Sequence, residues 1–231
     1  MPADPPNSVD AEHEYPPELS RLPPGRHGLP REFVVHNQRE RLIAGLAEAV
    51  AENGYASTTI AHITRHAAVS RRTFYEHFNS KDECFVAAYD TVMAELSERI
   101  ENAFQEESDW PQAVRAGLAA MLSFLAAEPN LARLSMVEAL VAGPVVVERY
   151  DAAIQSLLPY LQAGREGRSE EVLSRLSPTT EEALVGGMVS LISRRIIAGQ
   201  AAELEQLLPD LVEFALTPYI GSDEASKVAR G

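Results

Sequence analysis

Apolar residues recur at helical spacing between Val35 and Val50, which predicts a first helix over this stretch. Gly54 follows it, where the end of a helix needs a left-handed residue, and Tyr55 supplies the apolar contact just beyond. The first helix is therefore predicted to end near Asn53.

The next two helices are predicted from their capping residues. Ser57 or Thr58 is placed to cap the second helix, and the turn that ends this helix falls at residues 68–69. Ser70 is placed to cap the third helix. Two short helices joined by a tight turn are typical of a helix-turn-helix.

The third helix has one apolar face and one polar face. Phe74 and Phe78 are four residues apart, so they share the face that packs on the first two helices. At about 100° per residue, the opposite face carries basic, hydroxyl and aromatic side chains. That combination is expected to read DNA.

Two kinds of DNA contact are expected. A capping box from Ser80 to Glu83 opens a fourth helix, and this places Lys81 within reach of a phosphate. Arg71, Arg72 and Tyr75 are best placed for base edges, and arginine favours guanine. The full set of expected DNA-contacting residues is Thr59, Ser70, Arg71, Arg72, Thr73, Tyr75, His77, Lys81 and Arg26.

Simpler roles remain open for some of these residues. A helix with two arginines is often only a solvated face, and His77 is also placed to cap the carbonyls that end the third helix. His62 and His66 have a spacing that could hold a metal, but no third ligand is nearby, so we expect exposed histidines and no metal. Cys84 is expected to be a small buried apolar residue.

Residues 54–81 resemble the TetR family of bacterial transcription regulators. The residues that match the family pattern in order and spacing are Gly54, Tyr55, Thr58, Thr59, Ile63, Val69, Ser70, Thr73, Phe74, Tyr75, His77, Phe78, Ser80 and Lys81. Two residues depart from it: Ala68 stands where glycine is frequent, and Arg72 stands where a small residue is common.

The resemblance implies an all-α fold with a three-helix helix-turn-helix head and a carboxy-terminal helical domain for ligand binding and dimerisation. It also implies a symmetric homodimer on a pseudo-palindromic double-stranded operator, with a small molecule that spreads the two heads. The predicted parts are a flexible Pro-rich extension 1–30, the DNA-binding domain 31–80, the effector and dimerisation domain 81–221 and a flexible tail 222–231.

The chain after the head is predicted to be helical throughout. Proline can occupy the first turn of a helix, and four prolines begin such segments, which predicts helices over 111–127, 130–142, 144–164 and 178–199. A last helix is predicted from about 202 to 219.

Apolar stripes on the last two long helices suggest a dimer interface of two helices from each subunit. The expected interface residues are Leu184, Gly187, Leu191, Leu204, Leu208 and Leu211. The alternative is that these stripes only close the core of one chain. The candidate effector pocket is formed by Met121, Phe124, Met136, Tyr150 and Met188, although such residues are more often ordinary core. An apolar effector is expected.

The charge is unevenly distributed. The chain of 231 residues has a net charge of −14, yet residues 31–90 carry seven basic and eight acidic side chains, while residues 91–231 carry eleven and 21. The acidic residues are concentrated outside the head, so the head can approach DNA although the whole chain is acidic. The apolar stretches are too short for a transmembrane helix, and the amino terminus lacks a signal-peptide pattern, so we expect no membrane association. We expect a bacterial cytoplasmic protein that joins the nucleoid when it is bound to DNA.

Residues 1–30 contain eight of the fifteen prolines, which is typical of a flexible extension. Residues 24–31 are either a linker or an arm that lays Arg26 in the minor groove.

These observations predict a sequence-specific DNA-binding transcriptional regulator, a repressor released from its operator by a small, largely apolar effector. The alternative is a helical ligand-binding or protein-interaction module that retains the head only as structure. Neither an enzyme nor a cofactor is expected, because no nucleophile with its base, phosphate loop or metal set can be assembled.

Overall fold

The computed structural model describes residues 31–231, and within that range the chain is built from helices with no strand. The predicted all-α fold is confirmed. Residues 38–231 form one compact unit, and residues 31–37 are the first turns of the first helix. The head consists of α1 Arg31–Ser57, α2 Ile60–His66 and α3 Arg71–His77.

The end of α1 is determined by Gly54. Its φ of 71° interrupts the helical geometry, as predicted, and a further turn continues to Ser57. Thr58 is buried and donates its hydroxyl to the carbonyl oxygen of Gly54 at 2.8 Å. The prediction that Ser57 or Thr58 caps α2 is wrong, because Thr58 faces back toward α1 and Thr59 is the cap.

The core of the head is tightly packed. A Cβ atom on Gly45 would lie 2.7 Å from the backbone nitrogen of Ala67 and 2.8 Å from the carbonyl oxygen of Ile63, so α1 and α2 approach closely only because this residue is glycine. Phe74 and Phe78 are both buried, which confirms the inward face predicted for α3.

The body contains the remaining helices. They are α4 Lys81–Gln105, α5 Trp110–Ala127, α6 Pro129–Met136, α7 Pro144–Gln155, α8 Leu158–Gln162, α9 Glu170–Arg175, α10 Thr180–Ile197, α11 Leu208–Ile220 and α12 Ser222–Arg230. Short 3₁₀ segments lie at Glu138–Val141, Ala163–Arg165 and Ala201–Leu207. None of the helices in the described range is long and apolar enough to cross a membrane.

Three predicted helices of the body are interrupted. The span 130–142 is divided into α6 and a 3₁₀ segment. The span 144–164 breaks after Gln155, because Pro159 lacks the N–H that a continuous helix would use. The last helix begins as a 3₁₀ segment and becomes α-helical only where Pro209 occupies its first turn.

The predicted flexible tail at 222–231 is wrong, because residues 222–230 form α12. Ala225, Val228 and Ala229 lie at helical spacing and are buried, so these small residues dock the segment onto the body. Gly221, with a φ of 79°, makes the turn between α11 and α12.

Candidate nucleic-acid interface and effector cavity

The outer face of α3 is open to solvent. The side chain of Arg72 is 89% exposed and its Nε atom lies 3.0 Å from a carboxylate oxygen of Glu76. An exposed pair of this kind contributes about 0.5 kcal/mol, so Arg72 can exchange Glu76 for a stronger acceptor. Arg71 and Tyr75 are also exposed on this helix.

Ser70 caps α3 as predicted. Its hydroxyl oxygen accepts the backbone N–H of Thr73 at 3.0 Å, and the two hydroxyl oxygens lie 2.9 Å apart. The cap exposes both hydroxyls at the amino-terminal end of α3, which is the end that a helix-turn-helix presents to base edges.

Thr59 holds the start of α2. Its hydroxyl oxygen accepts the backbone N–H of His62 at 3.3 Å, and the His62 ring lies 3.4 Å from the Thr59 nitrogen in a reciprocal capping box. Thr59 is exposed, so its hydroxyl proton can still be donated outward.

Lys81 is held beside the head. Its Nζ atom donates to the carbonyl oxygen of Tyr55 at 2.8 Å and lies 4.0 Å from the centre of the Tyr55 ring. An ammonium group has three donors, so the charge is positioned while two donors remain for a phosphate. The predicted capping box is altered here: Ser80 caps α4 by accepting the N–H of Glu83, but the Glu83 carboxylate accepts the N–H of Asn79.

His77 does not cap the end of α3. Its Nε2 atom lies 3.2 Å from the side-chain oxygen of Gln38 on α1, and burial lowers the pKa of the His77 imidazole despite the nearby carboxylate of Glu76. The neutral ring therefore positions α3 against α1 and adds no positive charge to the interface.

The prediction of exposed histidines is wrong for His66. Its side chain is 14% exposed, with Nδ1 2.9 Å from Glu48 and Nε2 3.1 Å from Glu52, both on α1. Across residues 31–231, no group of three or more metal-binding side chains occurs.

The turn between α2 and α3 adopts the conformation that favours glycine. Ala68 has a φ of 50°, and it is the one non-glycine residue with positive φ in the described range. Arg41 supports this turn, because its Nη2 atom donates to the carbonyl oxygens of Ala67 and Ala68 at 2.6 and 2.9 Å.

A buried carboxylate joins the head to the body. Glu138, in the 3₁₀ segment after α6, accepts the backbone N–H of Tyr55 at 2.9 Å and lies 3.1 Å from Arg133. The Tyr55 hydroxyl bonds to Asp82, and its ring packs edge-on against Phe85. Tyr55 thus connects the end of α1 to α4 and to the 3₁₀ segment after α6.

Two adjacent apolar cavities lie in the body. They contain about 530 and 470 Å³ of space free of protein atoms, part of it open to solvent, and they share the side chains of Ile100, Met121, Leu157 and Val189. The first extends toward Phe104, Leu118, Tyr160 and Met188, and the second toward Tyr89, Met136, Tyr150 and Ile154.

Four of the five predicted pocket residues line these cavities: Met121, Met136, Tyr150 and Met188. Phe124 does not. It lines a surface groove instead, where its ring faces the guanidinium of Arg99 at 5.3 Å. Helical periodicity alone could not decide which side of α5 faces the cavity.

The stripes on α10 and α11 largely close the core of one chain. Leu184, Leu204 and Leu211 are almost completely buried in that core, which favours the alternative for these three residues. Gly187 is exposed, while Leu191 and Leu208 are half-buried. Phe214 is 47% exposed, and its ring lies 3.4 Å from where a Cβ on Gly187 would stand. Arg26 lies outside the described residues.

Comparisons with known proteins agree with this geometry. Residues 42–88 match the sequence profile described as bacterial regulatory proteins of the tetR family. The nucleoid occlusion factor SlmA of Vibrio cholerae is 31% identical over 99 residues, which cover 42% of this chain and 50% of that protein. The fatty acid metabolism regulator protein of Bacillus subtilis is 26% identical over 98 residues, with 42% and 50% coverage. The chain spans about half the length of these relatives.

Solved structures show the same fold over a larger part of the chain. The fatty acid degradation regulator FadR from Bacillus halodurans superimposes with a TM-score of 0.68 at 16% identity, covering 80% of this chain and 95% of that one. FadR from Bacillus subtilis, in complex with stearoyl-CoA, gives 0.61 at 20% identity, with 79% and 98% coverage. The predicted resemblance to the TetR family of bacterial regulators is confirmed for the head of the chain, at residues 42–88.

Proposed function

We propose that this chain is a sequence-specific transcriptional regulator that binds a double-stranded operator through α3. The observation that carries this proposal is the open face of α3, where Arg71, Arg72 and Tyr75 are exposed beside the Ser70 cap. A head retained only as structure would need Phe74, but it would not need these side chains.

Arg72 and Lys81 have different proposed roles, and variants separate them. Selection of bound duplexes from random DNA identifies the operator. Arg72→Ala is expected to weaken operator binding by about 1–3 kcal/mol and to relax the preference at one base pair of each half-site. Lys81→Ala is expected to weaken binding to all sequences and to reduce the salt slope by about one unit.

The controls are binding curves on the selected operator and on a scrambled duplex, each at several salt concentrations. Uniform loss of affinity by both variants would contradict base readout by Arg72. Selection that recovers no preferred sequence from the wild-type chain would contradict the proposed function itself.

We propose that the apolar cavities hold an effector with a long acyl chain, and that its binding releases the operator. The first cavity is lined by aliphatic and aromatic residues, and the second adds only Ser97, Ser135 and Ser156 to such a lining. The likeness to a FadR structure that contains stearoyl-CoA supports an acyl ligand. Stearoyl-CoA is therefore expected to lower the fluorescence anisotropy of a labelled operator bound to the protein, whereas coenzyme A alone should not. Equal effects of both compounds would contradict an acyl site.

We propose a homodimer that uses the exposed face of α10 and α11 around Gly187 and Phe214. Gly187→Leu would place a branched side chain against the Phe214 ring and block a close approach of two helices. It should give a monomer by sedimentation, with only weak half-site binding. Glu98→Leu adds the same side chain at an exposed position of α4 and should stay dimeric. A dimeric Gly187→Leu would place the interface elsewhere.

The proposed regulator acts in the bacterial cytoplasm on the nucleoid. A minor-groove contact by Arg26 stays a prediction.

A further inference from the structure

The wall of the second cavity contains a buried polar atom that lacks a hydrogen-bond partner. Tyr89, on α4, lines this cavity and is 2% exposed. Its hydroxyl is buried and makes no hydrogen bond within the described part of the chain. Buried hydroxyls almost always have a partner, because an unpaired one has lost its bonds to water and gained none. The unpaired Tyr89 hydroxyl therefore points to a ligand.

The Tyr89 hydroxyl is a hydrogen-bond donor at neutral pH. Burial raises the pKa of Tyr89, and the nearby Tyr150 and Asp90 raise it further, so the phenol keeps its proton. Tyr150, on α7 in the same cavity, differs because its hydroxyl interacts with Ser193. Tyr89 thus supplies a buried, unpaired donor in this wall, and the matching ligand atom is an acceptor.

The charge of the lining restricts what that acceptor can be. Among the described residues, neither cavity is lined by Asp, Glu, Lys, Arg or His. A carboxylate beside Tyr89 would lose its hydration without gaining a cation, which is far more costly than burying a neutral carbonyl. The lining favours a neutral acceptor.

The shape of the cavities places the rest of the ligand. Ile100, Met121, Leu157 and Val189 line both cavities, so an apolar chain that starts near Tyr89 can continue into the first cavity. At the outer side of the second cavity, Ser97 and Ser156 are exposed. A polar head group beyond the carbonyl can leave the cavity there.

We propose that Tyr89 determines effector specificity by donating its hydroxyl to a neutral carbonyl oxygen, of an ester, thioester or ketone, whose apolar chain fills the two cavities. This inference rests on the proposed function, because it specifies the chemical class of the proposed effector. Tyr89 selects acylated compounds and rejects the corresponding free acids.

The first test compares ligands of equal chain length by isothermal titration calorimetry at neutral pH, on the full chain without DNA. The probes are methyl laurate, laurate and dodecyl chloride, which carry a neutral carbonyl, a carboxylate and no comparable acceptor. Methyl laurate is expected to bind more than about tenfold more tightly than laurate. Methyl esters of increasing length should gain up to about fourfold in affinity per methylene until the cavities are filled.

The second test removes the donor. Tyr89→Phe keeps the ring and should weaken methyl laurate binding by about two- to tenfold, while it leaves dodecyl chloride binding unchanged. Its melting temperature without ligand should be equal to or above that of the wild type, because the unpaired hydroxyl is gone. Tyr160→Phe is the matched control: Tyr160 lines the far cavity, and its variant should keep the preference for the ester.

Three outcomes would overturn the assignment. They are equal binding of laurate and methyl laurate, equal effects of Tyr89→Phe on the ester and the chloride, and no binding of either. Because these titrations contain no DNA, they are independent of operator binding. A Tyr89-dependent ester site in a chain that never binds an operator would refute the proposed regulator and leave this inference standing.

Discussion

The head and the body are both helical, but their interiors differ. In the head, Gly45 allows backbone contact between helices, and Phe74 and Phe78 fill the space under α3. In the body, two apolar pockets remain between the side chains, with about 530 and 470 Å³ of atom-free space, part of it open to solvent. Close packing gives the head one geometry, which the proposed DNA reading would require, whereas the body retains space that a ligand can occupy.

The largest effect is expected for Phe74→Ala, which would leave an empty cavity in the core of the head. Phe74 is fully buried in the core of the head. Its removal is expected to destabilise the protein by about 3–5 kcal/mol and to abolish operator binding. Urea unfolding monitored by circular dichroism measures the change. A loss below about 1 kcal/mol would mean that the head is loosely packed.

A matched pair of valine substitutions tests the contrast in the other direction. Val50 is fully buried in the head, and Val189 lines both cavities. Val50→Leu should destabilise by about 1–3 kcal/mol because the added methylene has no space. Val189→Leu should be neutral or stabilise by up to about 0.8 kcal/mol and should weaken binding of acyl compounds. If the two variants had equal free energies of unfolding, the head would not be more tightly packed than the body.

The smallest expected effect concerns the turn of the head. Ala68 has a φ of 50°, which is unfavourable for a residue with a Cβ atom. Ala68→Gly should stabilise the protein by about 0.5–1 kcal/mol. Thermal unfolding checks this, with Ala56→Gly as a control at an exposed helical position, where a loss is expected. Destabilisation by both changes would show that the Ala68 conformation carries no strain.

The features that sequence predicts well are those that depend on near neighbours. Ser70 caps α3 by accepting the N–H of Thr73, which is only three residues further along the chain. Phe74 and Phe78 meet because they are four residues apart. Gly54 interrupts its own helix. Such local chemistry is readable from the order of residues alone.

Contacts between distant residues could not be predicted in the same way. Glu138 accepts the N–H of Tyr55 across 83 positions, and Arg41 holds a turn 26 and 27 residues away. An apolar stripe shows that a helix face is buried but not which surface buries it. For that reason Leu204 and Leu211 suggested a dimer interface although they belong to the core of one chain.

The single cysteine of the chain lies near the start of α4 and packs into the core of the head, where it is a built-in chemical reporter. Cys84 is fully buried, and burial raises the pKa of its thiol to about 12. A thiol reagent can therefore reach it only when the helices around it separate, and the labelling rate reports the free energy of that opening. The Cys84 labelling rate of the wild-type protein, measured with added operator or acyl compound, would show how much each ligand stabilises the closed core of the head.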